Sequence, residues 1–93
     1  MFGLTSKTYE QILNVVKKHK CKFILFGSRA RGDYKANSDI DIAVLGKIDE
    51  KTEYAIRNSF DILDIPYTID IVFIDRGIKK ELEESIKKEG VEL

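Results

Sequence analysis

Gly27-Ser28-Arg29-Ala30-Arg31-Gly32, then Ser38-Asp39-Ile40-Asp41-Ile42-Ala43-Val44, is the stretch on which the reading of this chain turns. Phe23-Ile24-Leu25-Phe26 precedes it as an apolar strand, and the glycine-serine turn then opens a short helix ending near Gly32. Such a turn can present backbone N–H groups to a phosphate. After a polar loop from Asp33 to Ser38, a second strand spanning Asp39 to Leu45 alternates in polarity. Ile40, Ile42 and Val44 can enter a core while Asp39, Asp41 and Ala43 share the opposite face, so parity separates core from candidate site.

Taken singly, Gly-Ser before a helix is an ordinary turn and cap, and Asp-x-Asp an ordinary solvated strand face. Their joint placement points further. Ten residues separate Ser28 from Asp39, the acidic pair opens a strand, and Asp70 interrupts a later apolar run, Tyr67-Thr68-Ile69-Asp70-Ile71-Val72-Phe73. Clustered carboxylates repel one another, and divalent cations offset that cost. A phosphate-binding turn beside such a cluster suits metal-assisted phosphoryl or nucleotidyl transfer, and no histidine is needed for it.

Outward from this stretch, Tyr9, Ile12, Leu13 and Val16 recur at helical spacing after the capping candidates Thr5 and Ser6, predicting a first helix to about His19. Asp49 is placed to cap a helix carrying Ile56, Phe60 and Leu63, which Ile65-Pro66 ends before a third strand from Tyr67 to Ile74. Asp75 is placed to cap a last helix with Ile78, Leu82 and Ile86 on one stripe, closed by Gly90. The expected architecture is a two-layer α/β (α+β) sandwich, a small mixed sheet flanked by helices, in a single domain over residues 1–93.

That length admits one core and leaves no room for a separate substrate-binding lobe. Sixteen basic and sixteen acidic residues cancel, so no general attraction to nucleic acid or an anionic membrane is expected. The lone Cys21 cannot form an internal disulfide, and Met1-Phe2-Gly3-Leu4-Thr5-Ser6 lacks a long apolar stretch, which together favour a cytoplasmic, non-membrane protein.

The two motifs, Gly27-Ser28 and Asp39-Ile40-Asp41, with Ile69-Asp70-Ile71-Val72 further on, resemble the signature of the minimal nucleotidyltransferases of the DNA polymerase β superfamily. The resemblance covers nearly the whole chain. It implies that Asp39, Asp41 and Asp70 hold two Mg²⁺ ions, for which Mn²⁺ can substitute, and that Gly27 and Ser28 hold the triphosphate of ATP. It implies as well that Asp70 lies nearest the attacking hydroxyl, as a metal ligand or as an aid to deprotonation. The partner it implies is a small all-helical HEPN-type toxin, neutralised by AMP placed on a tyrosine, so a homo- or hetero-oligomer is expected.

Around the motif, Arg29 and Arg31 are candidate phosphate contacts through bidentate guanidinium geometry, whereas Lys35 reads as a solvated loop residue. Tyr34 needs no function in an exposed loop. His19, among Lys17, Lys18 and Lys20, is expected to complement a helix C-terminus rather than bind metal. Two other functions remain open from the residues: a non-catalytic nucleotide-binding module that silences its partner by contact, and transfer to RNA or a small acceptor. The intact acidic triad weighs against the first, and the missing recognition domain against the second.

Overall fold

The computed structural model describes residues 1–93. Helix α1 (Ser6–Lys18) leads into strand β1 (Lys22–Phe26), the single-turn helix α2 (Ser28–Arg31), strand β2 (Ile40–Leu45) and helix α3 (Glu50–Asp61). Strand β3 (Ile69–Phe73), a 3-10 turn over Ile74–Arg76, helix α4 (Lys80–Glu89) and the short strand β4 (Val91–Glu92) complete the chain. The strands form one mixed sheet in the order β3-β2-β1-β4, with β1 antiparallel to β2 and β4, and β2 parallel to β3.

Side-chain parity builds the two faces of this sheet. Ile40, Ile42 and Val44 are fully buried with Phe23 and Leu25 against Ile12 and Val15 of α1 and Ile56 and Phe60 of α3. Burying each such side chain contributes about 1.5–3 kcal/mol, so this face sets the register. On the opposite face Phe26 and Ala43 pack with Ile86 of α4, and Leu82 adds to the same cluster. Helix α4 covers that face beside β1, leaving the end of the sheet where β2 and β3 begin free for polar side chains.

Caps define the helices largely as the residue types predict. The Thr5 hydroxyl accepts from the Thr8 N–H at 3.2 Å, and the Asp49 carboxylate accepts from the Thr52 N–H at 2.7 Å. Gly90 terminates α4. Other expectations require correction. Asp75 caps no helix: it lies in the 3-10 turn and accepts from the Ile48 N–H at 3.4 Å, because Gly77, at φ +83°, breaks the chain before α4 starts at Lys80. The third strand is shorter than the stretch from Tyr67 to Ile74, and Val91-Glu92 pairs with β1 as a strand that no local pattern announces. His19 accepts or donates at 3.0 Å to the Ser59 hydroxyl of α3, and burial, then Lys18, hold its pKa below the ordinary value. It is therefore a neutral link between α1 and α3 at pH 7 rather than a charge on the helix end.

Arg29 departs furthest from expectation. Only 1% exposed, it donates from Nη1 to the Phe2 carbonyl at 2.9 Å and from Nε and Nη2 to the Ser38 carbonyl at 3.1 and 2.9 Å. Nη2 also reaches the Ala36 carbonyl at 3.3 Å. The guanidinium carbon lies 5.2 Å from the Tyr34 ring centroid and 4.8 Å from that of Tyr67. Carbonyl dipoles and two aromatic faces thus stabilise a buried cation that has no carboxylate partner. The expectation that Arg29 contacts phosphate is corrected accordingly, since its donors are spent on the backbone that leads into β2. Arg29→Lys is expected to lower the melting temperature by about 10 °C or more, because one ammonium cannot satisfy three buried carbonyls at a cost of about 1–3 kcal/mol each. Thermal denaturation checks this; an unchanged midpoint with weakened ATP binding would instead make Arg29 a ligand residue.

Candidate active site

Three aspartates meet on the sheet face that α4 leaves open. Asp41 is the second residue of β2 and Asp39 the residue just before that strand, so both project to the same side. The parallel register sets Asp41 directly beside Asp70 of β3. Asp39 and Asp70 are exposed and Asp41 is half-buried. Burial, followed by the negative charges of Asp70 and Asp39, raises the Asp41 pKa above the ordinary carboxylate value, and Arg31 opposes the rise.

Gly27 closes the site from the side of β1. Its φ of +76° lies in the region that glycine adopts readily, and a Cβ placed there would run into the Asp41 carboxylate. The backbone of the turn thus touches the acidic residue directly. No side chain caps the first turn of α2, so the N–H groups after Gly27 carry no side-chain partner, and the half-buried Ser28 follows at once. Arg31 stands at the rim, paired with Asp33 at 3.3 Å and with Glu89 of α4 at 3.1 Å, and these hydrogen bonds raise its pKa. Lys35 is exposed in the loop, where its N–H donates to the Ser38 hydroxyl at 2.7 Å.

A cleft of about 510 Å³ takes in Asp41 and Asp70, with Phe26, Val72 and Leu82 as apolar walls and Arg57 at its edge. A larger concavity of about 910 Å³ lies at the other end of β1 and β2 among Lys18, Lys20, Lys22 and Lys47, and holds none of the candidate site residues. Chemistry rather than size selects the smaller cleft, because there two carboxylates stand side by side on neighbouring strands, and burial together with like charge raises the pKa of one of them. The carboxylates share a face without closing into a three-ligand cage. That donor set fits Mg²⁺, which takes one or two carboxylates and completes its shell with water and substrate phosphate oxygens.

Two substitutions test this geometry. Gly27→Ala and Gly46→Ala both place a side chain at positive φ, but only at Gly27 does the new Cβ meet another group; at Gly46, φ +96°, nothing lies within 4 Å. Both are expected to lose stability, about 1 kcal/mol for the backbone alone, while Gly27→Ala alone weakens binding of ATP with Mg²⁺ by about tenfold or more, as isothermal titration will show. Asp41→Asn is expected to raise the metal-free melting temperature at pH 7. Since the folded pKa of Asp41 is raised, its ionisation costs stability as pH rises through that value, so the gain from asparagine disappears below the carboxylate range. Melting curves from pH 3 to pH 7 check the sign.

Comparison with known proteins shows the family and the fold. The sequence profile described as "Polymerase beta, Nucleotidyltransferase" matches residues 10–93. The chain is 30% identical over 92 residues to MJ0141 of Methanocaldococcus jannaschii, a candidate protein adenylyltransferase, covering 94% of this chain and 93% of that protein. A second candidate protein adenylyltransferase of that organism, MJ0604, is 64% identical over 28 residues, which is 30% of this chain and 28% of that protein. Among solved structures, a chain of a toxin-antitoxin complex crystallised with AMP-PNP superposes with a TM-score of 0.64 at 26% identity, covering 89% of this chain and 69% of that one. With the fold, the open acidic face and a profile match over nearly its whole length, this chain belongs to the polymerase β-like nucleotidyltransferase family.

Proposed function

We propose that the chain transfers AMP from ATP to a hydroxyl of a protein partner. The observation that carries this reading is the pairing of Asp41 with Asp70 on one open sheet face, with Asp39 just before the same strand, against a glycine turn whose backbone touches Asp41. In this reading the Gly27-Ser28 turn binds the triphosphate through its N–H groups and the Ser28 hydroxyl, while Asp39 and Asp41 orient it from the strand opposite. Arg31, at the rim, can neutralise phosphate charge if it exchanges Asp33 or Glu89 for the ligand. The three aspartates would hold two divalent cations, Mg²⁺ or Mn²⁺, which when bound supply Lewis acidity at the phosphates and lower the pKa of the attacking hydroxyl.

Asp70 is exposed on β3, the edge strand of the sheet, so in this reading it is the carboxylate nearest an acceptor that arrives over that edge. The acceptor oxygen forms a bond to the α-phosphorus, the bond from that phosphorus to the bridging oxygen of the β-phosphate breaks, pyrophosphate leaves, and the hydroxyl proton passes to Asp70 or to water. Raised in pKa by burial and then by the charges of Asp70 and Asp39, Asp41 is the carboxylate whose ionisation a bound cation would most favour.

A protein acceptor is supported by two facts. Two relatives carry the description of candidate protein adenylyltransferases, and the structural neighbour crystallised with AMP-PNP is half of a toxin-antitoxin pair. A tyrosine of a small helical HEPN-type toxin is the acceptor this reading favours, with the present chain as its antitoxin. No helix of the chain is long and apolar enough to cross a membrane.

With Mg²⁺, ATP and the cognate helical partner, intact-mass spectrometry is expected to show the partner gaining one or more AMP units, and pyrophosphate is expected in the medium. Asp39→Asn with Asp41→Asn is expected to abolish the gain, at least about a thousandfold in rate, since the charge that positions the triphosphate is gone. A partner silenced equally by the double variant and never modified would leave contact, not catalysis, as the activity.

A further inference from the structure

The edge of the sheet nearest the site is open. Strand β3 has one neighbour, β2, and nothing pairs with its other side. Ile40 donates its N–H to the Thr68 carbonyl at 2.8 Å, which fixes the direction of every main-chain group along β3. Thr68, Asp70 and Val72 address β2, so Ile69, Ile71 and Phe73 turn their N–H and C=O groups outward. Edge strands are ordinarily blunted by lysine, proline or a bulge, and Ile69-Asp70-Ile71-Val72-Phe73 carries none of these.

The 510 Å³ cleft follows this edge rather than one face of it. Asp70 and Val72 line it from the carboxylate face, Ile69 and Ile71 from the other, with Asp61 of α3 on one bank and Leu82 of α4 on the opposite one. A second cleft of about 220 Å³, sharing Asp61 and Ile69, continues it past Thr68 and Tyr67. The charge along the groove is negative. Asp41, Asp61 and Asp70 face a single cation, Arg57, which already donates to Glu53 at 3.1 Å and stacks 4.8 Å from the Phe73 ring centroid.

We propose that the open edge of β3 docks an extended, basic, hydroxyl-bearing segment of the protein acceptor, which adds to the sheet as a further strand; the inference rests on the protein-acceptor reading above. An added strand pairs the whole row of outward N–H and C=O groups at once, and basic flanks complement Asp61 and the carboxylate face. Register then does the positioning. The residue of the added strand opposite Asp70 lies about 4.8 Å from it and projects to the same face, which delivers its hydroxyl to the carboxylates.

The probe is a blocked peptide, Lys-Val-Thr-Tyr-Thr-Val-Lys, with a proline-interrupted version as control, added to ¹⁵N-labelled protein holding Mg²⁺ and AMP-PNP. Saturating peptide is expected to slow amide exchange at Ile69 and Ile71 about tenfold or more, and the control to leave it unchanged. Ile71→Pro, which removes an outward N–H and no ladder bond, is expected to weaken peptide binding about tenfold while AMP-PNP binding persists. Ile69→Pro, at the first strand position, serves the same end should Ile71→Pro not fold. With ATP, mass spectrometry reports AMP on the peptide tyrosine. Protection without transfer keeps the docking edge and removes the protein-acceptor reading. Transfer with unchanged exchange at Ile69 and Ile71, or neither protection nor transfer, overturns the docking. Protection that grows with protein concentration in the absence of peptide also overturns it, assigning the edge to a second copy of the chain.

Discussion

The parallel register between β2 and β3 is the constraint on which the rest of the molecule depends, because it sets Asp41 beside Asp70. Left to themselves, the two carboxylates would separate: at about 4 Å their repulsion is about 1 kcal/mol in water and about 4 kcal/mol at an effective dielectric near 20. What holds them is the other face of the same strands. Ile40, Ile42 and Val44 of β2 are fully buried and Phe73 of β3 nearly so, and each such side chain contributes about 1.5–3 kcal/mol. A slip of one residue would turn the buried set to solvent and drive the aspartates into the α1–α3 layer, so core packing outweighs the repulsion and fixes the site. Burial first, and the neighbouring charges of Asp70 and Asp39 after it, leave the Asp41 pKa above the ordinary carboxylate value.

Arg29 is the second fixed point, and it works from the interior. By bridging Phe2, Ala36 and Ser38 it ties the first residues of the chain to the loop that delivers Asp39, and through the Tyr67 ring it also touches the segment entering β3. One side chain thus holds the approaches to both strands that carry the aspartates. The result is an acidic face with a glycine turn on one flank and an open strand edge on the other, which suits a chain whose family moves nucleotides.

How much of this was legible beforehand follows the range of the forces involved. The alternation of β2 is local, so the division of Ile40, Ile42 and Val44 from Asp39 and Asp41 could be read directly, as could the Asp49 cap, whose hydrogen bond spans three residues. The placement of Asp70 beside Asp41 required the register of two strands almost thirty residues apart, and the family resemblance supplied what spacing alone left open. The interior role of Arg29 is not legible locally, because its carbonyl partners, in a loop and near the N-terminus, have no sequence pattern, and a charged residue next to a phosphate turn invites a ligand role. The pairing of Val91-Glu92 with β1 is similarly non-local, and the placement of Asp75 was decided by a positive φ at Gly77 rather than by the capping residue itself.

Whether the three aspartates form one metal-dependent nucleotide site is tested most directly by Mn²⁺ binding followed by electron paramagnetic resonance. In the presence of a non-hydrolysable ATP analogue, the protein is expected to immobilise more Mn²⁺ than the analogue alone, approaching two ions per chain. Asp70→Asn is expected to lose one of them and Asp39→Asn with Asp41→Asn both. A signal in which the protein adds nothing to the Mn²⁺ held by the analogue, or one unchanged by these substitutions, would contradict the assignment.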